Sequence, residues 1–172
     1  MRKPIAKAAF ALTAAALGLL GTAAPALADN HFDMTVRSSA SGMCLTPEGN
    51  STADGVPIVQ LPCTDNPFQR WDFIDRGNRI FQLRNAVTLK CMDAFGAATN
   101  GTPVIQWPCA GTSNQRFQAS RNLPDTVILR SRVAGTSTHC LDVPGGQSTA
   151  GLAMQIWQCN NSAAQSWRVF PV

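Results

Sequence analysis

One motif set occurs three times along this chain, and that repetition restricts the fold more than any other feature. The first copy reads Cys44-Leu45-Thr46, then Gly55 to Cys63 with Gln60-Leu61-Pro62 ahead of the cysteine, and closes on Gln69-Arg70-Trp71. The second reads Cys91-Met92-Asp93, then Gly101 to Cys109 with Gln106-Trp107-Pro108, and closes on Gln115-Arg116-Phe117. The third reads Cys140-Leu141-Asp142, then Gly151 to Cys159 with Gln155-Ile156-Trp157-Gln158, and closes on Gln165-Ser166-Trp167. All six cysteines fall at matching positions. Of the pairings six cysteines allow, only Cys44 with Cys63, Cys91 with Cys109 and Cys140 with Cys159 respects the threefold repetition. Zinc would require ligands in close C-x-x-C pairs with histidine nearby, a spacing absent here, so no metal or other cofactor is expected.

The amino terminus has a different character. Arg2, Lys3 and Lys7 precede an apolar run from Ala8 to Leu20, and small residues follow up to Ala26-Leu27-Ala28. This is the anatomy of a secretory signal peptide over residues 1–28, cut between Ala28 and Asp29, and the run is too short for a membrane span of about 20 residues. The expected localisation is therefore secreted and extracellular, an oxidising setting that suits disulfides. Loss of the leader's three cations leaves 11 Lys+Arg against 10 Asp+Glu, scattered singly. Phosphate backbones are held by clustered cations, so nucleic acid is not an expected partner.

Residues 29–172 read as one domain of three repeats, about 32–77, 78–123 and 124–172. Their hydrophobic pattern alternates with period two: Phe32, Met34 and Val36, then Val127 and Leu129, Gln155 and Trp157, Trp167 and Val169. Clusters such as Pro47-Glu48-Gly49-Asn50, Asp75-Arg76-Gly77-Asn78 and Pro144-Gly145-Gly146 supply turns between the strands. Only 14% of residues are charged, and no amphipathic helix of three turns is apparent. About four strands per repeat, twelve in all, are expected in a closed all-β arrangement.

A C-x-D opening, a Gln and aromatic before the second cysteine, and a closing Q-x-W, three times in register, resemble the ricin B-type (R-type) lectin repeat. The resemblance covers residues from about 32 to 172. It implies a β-trefoil, in which three four-stranded repeats close a six-stranded barrel capped by three hairpins. It also implies that Gln69/Trp71, Gln115/Phe117 and Gln165/Trp167 are core residues holding the repeats together.

Sugar recognition needs a carboxylate to accept from adjacent hydroxyls, an amide to donate and accept, and an aromatic ring to cover the C–H face of the pyranose. The resemblance places these at the Asp of C-x-D, at the Gln and aromatic before the second cysteine, and at an Asn preceding the closing Gln. The first repeat has Thr46, Leu61 and Phe68 in those places and is expected to be structural only. The second offers Asp93, Trp107 and Asn114, with Gln106 as the amide, although Gln106 lies directly before Trp107 and neighbouring strand residues face opposite sides. The third offers Asp142, Gln155 and Trp157 in one alternating register, retains Gln165, and carries Ala164 where Asn is expected. Two shallow sites imply a carbohydrate partner, with galactose-type or xylan-type glycans suggested by the resemblance, and association with another secreted protein remains open.

An enzyme is not expected. Glycoside hydrolysis uses two facing carboxylates, whereas the only Glu is Glu48, in a turn, and neither His31 nor His139 has a nucleophile beside it in sequence. The alternative functions are a protease inhibitor presenting a basic loop, Arg76-Gly77-Asn78-Arg79 or Arg121-Asn122, and a non-catalytic subunit that directs a toxin or enzyme to glycans.

Overall fold

The computed structural model describes residues 29–172. The expected signal peptide lies outside the described residues. Twelve strands follow one another: β1 (His31–Ser38), β2 (Cys44–Pro47), β3 (Ile58–Leu61), β4 (Arg70–Asp75), β5 (Ile80–Asn85), β6 (Cys91–Ala94), β7 (Thr102–Trp107), β8 (Phe117–Ala119), β9 (Asp125–Ser131), β10 (His139–Asp142), β11 (Gln155–Gln158) and β12 (Ser166–Pro171).

Antiparallel pairing of β1 with β4, β4 with β5, β5 with β8, β8 with β9, β9 with β12 and β12 with β1 closes a six-stranded ring. Closure leaves the barrel no free edge. The remaining strands form three hairpins, β2–β3, β6–β7 and β10–β11. These are tied to one another by the pairing of β11 with β7 and by bridges from Pro57 to Ile105 and from Val59 to Ala153. The architecture is the closed all-β arrangement that the strand pattern predicted and the pseudo-threefold β-trefoil that the resemblance implied.

The core repeats with the sequence. Leu45, Met92 and Leu141 are fully buried at equivalent positions, as are Ile58, Val104 and Met154. Trp71, Phe117 and Trp167 close each repeat with no exposed surface. A buried indole must also place its N–H. Trp71 Nε1 donates to the Leu45 carbonyl and Trp167 Nε1 to that of Leu141, each at 3.0 Å, so the closing aromatic of a repeat is pinned to its opening strand.

The three expected disulfides are present, each within one repeat: Cys44–Cys63, Cys91–Cys109 and Cys140–Cys159. Closing loops of 18 or 19 residues removes unfolded-state entropy worth about 3 kcal/mol per bridge.

One part of the strand alternation fails. Met34 and Val36 point inward as expected, but Phe32 is exposed. The register of β1 against β4 shifts between His31 and Met34, and Asp33 takes a positive φ of 52°. This irregularity resets the side on which residues fall and turns Phe32 out to solvent. Among the described residues no helix is long and apolar enough to cross a membrane.

Candidate functional site

The hairpin register generates the candidate sites. Asp142 at the end of β10 lies opposite Gln155 at the start of β11, and Cys140 lies opposite Trp157. Gln155 and Trp157, two apart, therefore share a face beside the carboxylate. Gln155 Nε2 donates to Asp142 Oδ1 at 2.8 Å. With Asn160, Ala164 and Gly146, these three side chains line an open hollow of about 630 Å³. Gly146 in this lining has φ of 64°, a backbone conformation that favours glycine.

Asp142 titrates above the ordinary aspartate range because burial disfavours its charge, an effect opposed by hydrogen bonding from the Gln155 and Gln165 amides. The Trp157 ring is 40% exposed, which leaves surface for a flat apolar partner next to a polar group.

Repeat 2 assembles the same elements by another route. Asp93 faces Ile105 across β6–β7, where repeat 3 has Gln155. The amide comes instead from the turn before β8: Asn114 Nδ2 donates to Asp93 Oδ1 at 2.6 Å, and Gln115 Nε2 donates to Oδ2 at 3.0 Å. Trp107 is 40% exposed and stacks on Phe95, with ring centroids 6.0 Å apart and planes inclined by 30°.

Gln106, expected as the amide of this site, turns away from Asp93 and is buried. Its Nε2 donates to the carbonyls of Ser51 and Ala53, at 2.8 and 2.7 Å, and its Oε1 accepts from Thr88 Oγ1. Strand alternation makes this unavoidable: a residue adjacent to an outward Trp107 must point inward. Gln60 occupies the same place in repeat 1 and clamps the carbonyls of Gln147 and Thr149. This amide thus joins repeats rather than facing ligand.

Gln165, expected both in the core and at the site, lies in the core. It is fully buried and outside the lining of the hollow. Its Oε1 accepts from the Asn160 N–H at 2.8 Å and its Nε2 donates to the Gln158 carbonyl at 3.0 Å, bracketing the loop that follows Cys159. Gln69 and Gln115 bracket the corresponding loops in the same way.

In repeat 1 the buried Thr46 hydroxyl donates to the Phe68 carbonyl at 3.3 Å, Val59 stands where repeat 3 has Gln155, and no carboxylate replaces Asp142. The basic segments raised as inhibitor loops are exposed, with local contacts to their arginines. Arg76 bonds Gln82, Arg79 donates to the Ser120 carbonyl, and Arg121 pairs with Asp125. The Arg76 N–H to Ile80 carbonyl bond makes the first of them a tight hairpin turn.

Sequence reasoning passed over Phe95. Glu48 and Pro144 fill its place in the other repeats, so no repeated pattern marks it.

A family model described as ricin-type beta-trefoil lectin domain-like matches residues 27–107 and 113–172. The chain belongs to this family. By fold, the trefoil is similar to a designed threefold-symmetric protein, ThreeFoil, at 25% identity and a TM-score of 0.74, covering 81% of this chain and 98% of that one. It is also similar to an exo-beta-1,3-galactanase from Clostridium thermocellum, at 20% identity and a TM-score of 0.75, covering 82% of this chain but only 30% of the galactanase. The Macrolepiota procera ricin B-like lectin, solved in complex with lactose, matches at 18% identity with a TM-score of 0.67, covering 81% of this chain and 95% of that lectin. No curated protein matches the chain by sequence.

Proposed function

We propose that this trefoil is an extracellular lectin that binds polysaccharide or cell-surface glycan through two shallow sites, one in repeat 2 and one in repeat 3. The observation that carries the reading is the convergence of Asp142, Gln155 and Trp157 on one open hollow. A carboxylate accepts from neighbouring hydroxyls, an amide both donates and accepts, and an exposed indole covers the C–H face, which are the three demands of a pyranose. Asp93, Asn114 and Trp107 offer the same set in repeat 2.

Open sites of this kind bind a single sugar weakly, at about millimolar Kd or roughly −4 kcal/mol. Two of them on one rigid body gain by avidity on a multivalent surface, which favours polymers and glycosylated surfaces over free monosaccharide. Secretion is supported by the charged, apolar and small-residue order of residues 1–28 and by the pairing of all six cysteines. The expected amino terminus of the exported protein is Asp29.

The test is retention on a glycan and polysaccharide array that includes galactose-terminated and xylan-type ligands. Asp93→Asn and Asp142→Asn should each weaken retention while circular dichroism stays unchanged, and the double variant should abolish it. An unmutated protein retained by no glycan overturns the reading.

A further inference from the structure

Resting on that reading, we propose that Phe95 extends the repeat 2 site into a second sugar subsite, so that the Phe95–Trp107 pair spans two linked pyranoses.

Phe95 is 56% exposed, and nothing in the trefoil requires an aromatic there, since Glu48 and Pro144 serve in the equivalent positions. A scattered exposed aromatic is ordinary. Phe95 is not scattered: it stacks on the exposed candidate ring Trp107 and makes with it one contiguous apolar surface next to Asp93. The pair is held in place from below. The Phe95 N–H donates to the Pro103 carbonyl at 3.0 Å, which fixes its backbone on β7, and Trp107 backs onto Gly55, where a Cβ would come within 3.6 Å of the indole. Two rings presented by anchored backbone lose little freedom when a ligand covers them.

The polar side of this site also favours stacking. Both Asp93 oxygens already accept amide hydrogens, and the carboxylate is only 2% exposed, so fewer hydrogen-bonding positions remain for a sugar than at a free carboxylate. Apolar contact must then supply more of the affinity, and exposed Phe95, its ring centroid 6.0 Å from that of Trp107, adds apolar surface beside the indole. A single sugar covers Trp107, and its linked neighbour reaches Phe95.

The experiment uses the Trp157→Ala background, in which Trp107 is the only exposed indole because Trp71 and Trp167 are buried. Trp107 fluorescence is titrated with galactose and lactose, and with xylose, xylobiose and xylotriose. Adding Phe95→Ala should leave monosaccharide Kd within about twofold and weaken the longer ligand of the binding series about fivefold, while Phe95→Tyr should keep the length dependence. Equal weakening at every length would mean that Phe95 merely props Trp107, and no weakening would mean that it touches nothing; either overturns the proposal. If Trp157→Ala binds no sugar while the unmutated protein still does, repeat 2 is no site and the proposal falls, leaving the lectin reading on repeat 3. If the unmutated protein binds neither series, the subsite proposal falls, while the lectin reading falls only if the glycan array is also empty.

Discussion

Repeats 2 and 3 hold their carboxylates with amides drawn from opposite ends of the repeat. In repeat 2 the amide is Asn114, from the turn before the closing strand, and the strand position facing Asp93 is the apolar Ile105. In repeat 3 the strand position facing Asp142 supplies the amide, Gln155, and the turn position is emptied to Ala164. A buried carboxylate without donors is costly; beside the closing Gln common to both repeats, the fold accepts a second amide from either place. The exchange changes the space around the site. Ala164 leaves repeat 3 with a hollow, whereas Asn114 and Gln115 pack against Asp93 in repeat 2 and the exposed Phe95–Trp107 surface lies beside them.

The largest test of this contrast is at the buried closing glutamines. Gln115→Leu takes the donor from one Asp93 oxygen, with Asn114 still on the other, and strands the Pro108 carbonyl and the Ala110 N–H, and should cost about 3 kcal/mol by the price of buried unsatisfied groups. Gln165→Leu, with Gln155 still on Asp142, should cost about 2 kcal/mol. Equal losses in urea unfolding would remove the distinction between the two carboxylate environments.

A smaller effect sharpens it. Asn114→Ala should destabilise by about 2 kcal/mol, and adding Ile105→Gln, which imposes the repeat 3 arrangement on repeat 2, should restore about half of that. A purely additive double variant would show that the two amide positions are not interchangeable.

Much of this was legible in the sequence. The three matching copies implied the disulfide pairing, because a repeated unit repeats its contacts; the period-two pattern implied twelve strands, and the family resemblance the threefold closure. Trp71, Phe117 and Trp167 were read correctly as core. The site was less legible at Gln106 and Gln165, since residue type alone does not say which face of a strand an amide occupies. At Gln106 the alternation with Trp107 already warned of the outcome. Phe32 escaped the pattern because the backbone irregularity at Asp33 breaks the alternation that made it look buried. Phe95 carried no periodic signal at all.

Next in size, Trp107→Ala and Trp157→Ala should each lower affinity about tenfold at their own repeat only, with stability changes within about 1 kcal/mol because both rings are partly exposed. Isothermal titration of the single and double variants resolves the two contributions, and a single site carrying all the affinity would break the comparison.

The smallest expected effect is one of pH. Burial raises the pKa of folded Asp142 above its unfolded value, so the stability linked to this group is full below the unfolded pKa and is lost as pH rises through the folded pKa. Binding runs the other way, because the ionised carboxylate is the better acceptor for hydroxyls. As the solution is acidified, affinity measured in the Trp107→Ala background should therefore decline at a higher pH than an ordinary aspartate would give. The Asp142→Asn variant should show neither slope.

The seam between β1 and β12 gives the molecule an order of assembly. Each sulfur bridge joins partners fewer than 20 residues apart, so every hairpin can be locked by its own segment alone. The barrel cannot: its first strand waits for its last, Val36 for Val169 and Ser38 for Trp167. Loss of the final strand would therefore leave three covalently closed hairpins with no enclosure to rest on.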